Sequence, residues 1–122
     1  MKWVIASESG LHELQPGGPA PNRKVLLSPE LGSARHLALG LSVYAPASRA
    51  ETHEHDAEEV GYVIRGGGIQ MVEDIREELA PGSVTHVAPG LPHSTEAGPD
   101  GLAVVWVYAP AGSEKRWMQP RE

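Results

Sequence analysis

Apolar and polar residues alternate along this chain with a period of two, and no window shows the 3.6-residue period of a helix. Residues 36–44 set Leu37, Leu39, Leu41 and Val43 against Ala38, Gly40 and Ser42, the pattern of a half-buried strand. Short runs at 25–28, 60–64, 69–72, 75–79, 84–87 and 102–108 read as further strands, and 52–55 continues as extended chain. Gly and Pro mark the breaks. Ala45-Pro46 stops the 36–44 strand, and Gly66-Gly67-Gly68 signals a bend or bulge. Glu73-Asp74 forms a tight connection, while Pro81-Gly82 and Pro89-Gly90-Leu91-Pro92 are turns.

About eight strands at short spacing predict an all-β fold, either a sandwich or a jelly-roll barrel. Prolines 16, 19 and 21 exclude regular helix or central strand over 11–23, so the chain is expected to open with an irregular N-terminal arm. The predicted division is one domain, with an arm at 1–24, a barrel core at 25–110 and a tail at 111–122. A helical turn over 112–118 fits that tail. A length of 122 residues suits one core and is too short for two.

Composition narrows the functional classes. The chain has no Phe, three Trp and three Tyr, so its core packs from aliphatic side chains. Its net charge of -6 comes from dispersed acids, and no run of Lys or Arg could neutralise successive phosphates, so nucleic acid is not an expected partner. Without cysteine there are no disulfides or thiolate ligands, and any metal must be held by nitrogen and oxygen. The first ten residues lack a signal-peptide apolar core, and no apolar stretch reaches membrane-spanning length, which predicts a soluble cytoplasmic protein.

Against that background the histidines stand out. His53 and His55 are two residues apart on extended chain, so both side chains point to one face and one ion can take both. Glu59 keeps the same parity across a loop, and its convergence depends on the backbone path. His93 follows the rigid turn at 89–92, and a barrel would carry it across to the others.

These residues resemble the cupin motifs. The first cupin motif has glycine, five residues, His-x-His, three or four residues, Glu, six residues and glycine; His53, His55, Glu59 and Gly66 match it, with Ala47 in place of the leading glycine. The second has glycine, five residues, Pro-x-Gly, two residues, His, three residues and Asn. Gly82, Gly90 and His93 fit it, the proline is displaced to Pro89, and Ala97 stands at the Asn position. The resemblance covers roughly residues 36 to 108. It implies a double-stranded β-helix, a tendency to form homodimers, and a metal held by three histidines and a glutamate, with iron, manganese, nickel, copper or zinc among the family's ions.

The expected cofactor is one divalent ion (iron, manganese, nickel or zinc) on His53, His55, Glu59 and His93. Neutral imidazoles suit borderline metals, and one carboxylate offsets part of the charge. Four protein ligands on an ion that accepts six leave room for a small molecule. The expected function is therefore a small metal-dependent enzyme of dioxygenase, isomerase, lyase or cyclase type, in which Glu59 is also the candidate base. The competing reading is a sensor that binds a small ligand without turnover. The Pro-rich arm and an exposed strand edge predict a homodimer by strand or arm exchange.

Other residues receive plainer readings. His86 is read as a surface or hydrogen-bonded histidine, and His12 and His36 are assigned no role. Tyr44, Tyr62 and Trp106 are expected in the core. Gly66 to Gly68 lacks the Lys-Ser or Lys-Thr of a phosphate loop. Glu73, Asp74, Glu77 and Glu78 read as a solvated hairpin edge that discourages edge-to-edge pairing.

Overall fold

The computed structural model describes residues 14–118. Its strands are β1 (Asn22–Leu27), β2 (Ala38–Tyr44), β3 (Glu58–Val72), β4 (Ile75–Leu79), β5 (Val84–Val87) and β6 (His93–Ala109), followed by a short 3-10 helix, Ser113–Trp117. All pairings are antiparallel, in the order β1-β2-β6-β3-β4, with β5 also on β3. The all-β jelly roll expected from the alternation is present, with six described strands where the punctuation suggested about eight.

The lower count has two causes: 52–55 forms only an isolated bridge, at His53, and the glycines join the two expected runs at 60–64 and 69–72 into one strand. Gly66 and Gly68 bend β3 without ending it. Register shifts fall between Val63 and Arg65 and between Gly66 and Gly68. Gly66 has φ 76° and Gly68 φ 159°, and a Cβ on either would strike the backbone of Gly101 or Glu96. The bulged strand pairs with β6 twice, 58–66 against 102–109 and 68–72 against 93–97. The two halves of each long strand therefore take different neighbours, β2 and β5 beside the 58–66/102–109 pairing and β4 beside 68–72.

Two further differences matter for the site. β1 begins at Asn22, immediately after Pro21 and inside the stretch assigned to the arm, because an edge strand tolerates a preceding proline. Arg23 is thereby placed opposite Ser42, within the sheet. β2 is buried on both faces and not on one. Leu41 and Val43 pack with Ala103 on the outer face, where Leu14, Leu26, Ile64 and Val105 help cover them. Gly40 and Ser42 face inward. Trp106 lies against Gly40, where any Cβ would overlap its ring, and its Nε1 donates to Ser42 Oγ at 3.0 Å.

Tyr44, Ala50, Val63, Leu79, Ala97 and Leu102 form one buried cluster. Val25, Ala57, Trp106 and Tyr108 form a second, against which Trp117 and Met118 pack. Tyr44 and Trp106 are core residues as expected, whereas Tyr62 is exposed on the outward parity of β3. His12 lies outside the described residues. His36 and His86 are exposed. No helix among the described residues is long and apolar enough to cross a membrane.

Candidate metal centre

Backbone pairing brings the distant histidines together. His53 and His93 form an isolated antiparallel bridge in which each N–H donates to the other's carbonyl at 2.9 Å. The second turn also fixes His55, whose carbonyl accepts from Gly90 N at 2.9 Å. Glu59 reaches the same interior because it lies on the inward parity of β3, between the outward Glu58 and Val60.

The side chains repeat one device three times. Nδ1 of His53 donates to Glu51 O at 2.9 Å, Nδ1 of His55 to Ala57 O at 2.9 Å, and Nδ1 of His93 to Leu91 O at 2.8 Å. A carbonyl can only accept, so each Nδ1 carries a hydrogen and each Nε2 is the nitrogen left to bind something else. Such carbonyl anchors orient imidazoles that ligate metals. One nitrogen from each of the three rings lies within 4.8 Å of the others, so His53, His55 and His93 could hold a metal ion.

Glu59 adjoins this set. Its Oε1 lies 2.9 Å from His55 Nε2 and 3.4 Å from His93 Nε2. The second contact lacks hydrogen-bond geometry, which leaves His93 Nε2 as a buried side-chain polar atom without a partner among the described residues. Burying such an atom unsatisfied costs about 1–3 kcal/mol, so its environment fits an ion that would accept its lone pair.

The electrostatics follow the same geometry. Burial alone would raise the Glu59 pKa, but the contacts and charges of His55 and His93 outweigh it and hold the carboxyl at about 2. For His93, burial disfavours the charged form, yet Glu59 and the Leu91 carbonyl push its pKa above the usual value. His53 is shifted down, mainly by burial. Burial also raises Tyr44 and Tyr108, keeping both phenols neutral.

An aromatic wall closes one side. Trp106 stacks on Tyr108 with centroids 4.6 Å apart, and Tyr108 lies 4.6 Å from the His55 ring. Trp117 donates from Nε1 to Tyr108 Oη at 2.9 Å and meets His53 edge-on at 5.8 Å. Arg23 reaches the same interior, its Cζ 3.7 Å from the Trp117 ring centroid. Sequence reading missed Arg23, Tyr108 and Trp117. Arg23 was legible only by extending β1 back to the proline, and nothing local marks Trp117. His86, outside this site, pairs at the surface with Glu58 Oε2 at 2.6 Å, in keeping with its plain reading.

The barrel and its convergent imidazoles define a small protein of the cupin superfamily. The chain belongs to the family of AraC-like ligand binding domains, which it matches over residues 36–119. It is 25% identical over 91 residues to the dimethylsulfoniopropionate lyase DddW of Ruegeria pomeroyi, a match covering 75% of this chain and 60% of that protein. It is 34% identical over 87 residues to the putative dimethylsulfoniopropionate lyase DddL of Cereibacter sphaeroides, covering 71% of this chain and 36% of that one. The chain thus spans less than two thirds of either relative. A Klebsiella pneumoniae protein of uncharacterised function with a double-stranded β-helix domain superposes with a TM-score of 0.75 at 20% identity, covering 92% of this chain and 93% of the other, a likeness of fold alone.

Proposed function

We propose that this chain is a metal-dependent cupin enzyme acting on a small organic molecule, with His53, His55, His93 and Glu59 holding one divalent ion, either iron, manganese, nickel or zinc. The observation that carries the reading is the threefold Nδ1 anchoring of three rings whose nitrogens lie within 4.8 Å of one another, with His93 Nε2 buried and without a partner among the described residues. An ion held there supplies Lewis acidity toward a substrate oxygen and, where it is redox-active, one-electron chemistry.

The chain's own groups supply the rest. Glu59 is the proton acceptor in this reading as well as a ligand. A carboxyl held at about 2 is a weak base while both imidazole contacts stand, and loosening the 3.4 Å His93 contact strengthens it. Tyr108, neutral and hydrogen-bonded to Trp117, orients the wall against which a substrate would lie.

Among dioxygenase, isomerase, lyase and cyclase chemistries, the two lyase relatives favour a lyase. The direct test incubates the metal-loaded chain with dimethylsulfoniopropionate and measures dimethyl sulfide in the headspace. Release that disappears in His93→Ala supports the lyase reading, and no release with any of the four metals counts against it. The family match favours a second reading, a ligand-binding module without turnover. That reading predicts saturable binding with the ligand recovered unchanged.

We also propose a cytoplasmic homodimer, supported by the apolar outward face where Val60, Tyr62 and Val84 are exposed. A monomeric mass by light scattering would exclude the dimer.

A further inference from the structure

Beside the imidazoles lies a cavity of about 680 Å³, lined in part by Arg23, Arg49, Arg116, Trp117, Glu51 and His53. Arg23 and His53 also line the interior around Glu59, so the cavity and the candidate metal centre adjoin at these two residues. Three guanidiniums face this space against the single carboxylate of Glu51, in a chain whose net charge is -6. A cleft with this local balance concentrates small anions despite the negative charge of the whole.

Arg23 is the informative member. Its position on β1 turns it inward, opposite Ser42, and its guanidinium makes no hydrogen bond or ion pair with any described residue. Glu59 acts on its charge through space without forming an ion pair with it. The guanidinium is half-buried with its nitrogens still open to the cavity, and its fork of N–H donors matches the two oxygens of a carboxylate. The Trp117 ring at 3.7 Å holds the guanidinium by cation–π attraction, and Arg116 lies 5.4 Å from the same ring. The exposed Arg49 and Arg116 are placed to attract a ligand, and Arg23 to fix it.

We propose that the cavity takes a small organic carboxylate, held through its two oxygens by Arg23 while the rest of the molecule extends past His53 to the imidazoles. The assignment deepens the reading of this site as a small-molecule centre and makes Arg23 its specificity-determining residue. Recognition of the anion does not itself need the metal.

Calorimetric titration of the full chain, metal-free and zinc-loaded, with propionate, propionamide and methyl phosphate tests this. Propionate is expected to bind saturably in both states and propionamide in neither. Arg23→Gln should weaken propionate at least about tenfold, and Arg23→Lys less, with zinc stoichiometry unchanged in both. Equal binding of propionate and propionamide by the wild-type chain overturns the proposal without recourse to any variant. So does undiminished propionate binding by Arg23→Gln, or loss of zinc from it, which would assign Arg23 to the ring. Preference for methyl phosphate overturns the choice of carboxylate. A chain that takes up none of iron, manganese, nickel and zinc yet distinguishes propionate from propionamide through Arg23 sinks the metal reading and sustains this one.

Discussion

Glu58 and Glu59 are neighbours on β3, and each touches a histidine. Glu58 meets His86 at 2.6 Å on the surface, where their side chains are 52% and 56% exposed. Glu59 meets His55 at 2.9 Å in the interior, where the exposures are 17% and 2%. The surface pair is the shorter of the two, yet only the inner one adjoins the cluster of three imidazoles. Distance does not separate them; strand parity and burial do. Turning one residue along a strand moves a carboxylate from water, where an ion pair is screened, into a ring of imidazoles, where its pKa falls to about 2. Glu59 also lies 3.4 Å from a second imidazole, His93, and so adjoins the group His53, His55 and His93, whereas among the described residues Glu58 meets His86 alone.

The widest gap between the pairs should be in metal affinity. Glu59→Gln is expected to weaken binding by about ten- to hundredfold in chelator competition, while Glu58→Gln leaves it unchanged. Equal effects would break the distinction. Acidity should sharpen it next. Ligation requires neutral imidazole, and the His93 pKa lies above its usual 6.5 in the metal-free protein, so protons compete as pH falls through and just above that value. Affinity measured between about pH 8 and about pH 5.5 should therefore drop by about tenfold per unit for each competing proton, and His86→Ala should not alter the curve. The smallest effect belongs to the surface pair. Replacing Glu58 and His86 together with alanine should shift the unfolding free energy by no more than about 0.5 kcal/mol in urea titration.

Much of this site is legible in the chain because it depends on local rules. Parity places His53 with His55, and the turn at 89–92 delivers His93 to the bridge with His53. The family pattern supplies Glu59, whose convergence parity alone leaves open. Even the departure at Ala47 has a structural trace: Ala47 adopts φ 61°, a left-handed conformation suited to the glycine the motif would place there. What was not legible depends on long-range packing. Leu41 and Val43 alternate like one face of a half-buried strand, but the outer face they occupy is itself covered, and the polar interior claims Gly40 and Ser42. Arg23 was hidden by the proline-rich stretch before it. Trp117 joins the site through the 3-10 helix and a contact with Tyr108, a pairing that spacing cannot announce.

Whether the three anchored imidazoles hold a metal decides between this site and a merely polar interior. The most direct test is the metal content of the full chain by mass spectrometry, as isolated without chelator and after loading with iron, manganese, nickel or zinc in turn. One tightly held ion per wild-type chain is expected, with loss of that ion in His93→Ala. Substoichiometric binding of all four metals by the wild-type chain, or full retention by His93→Ala, would contradict the metal site.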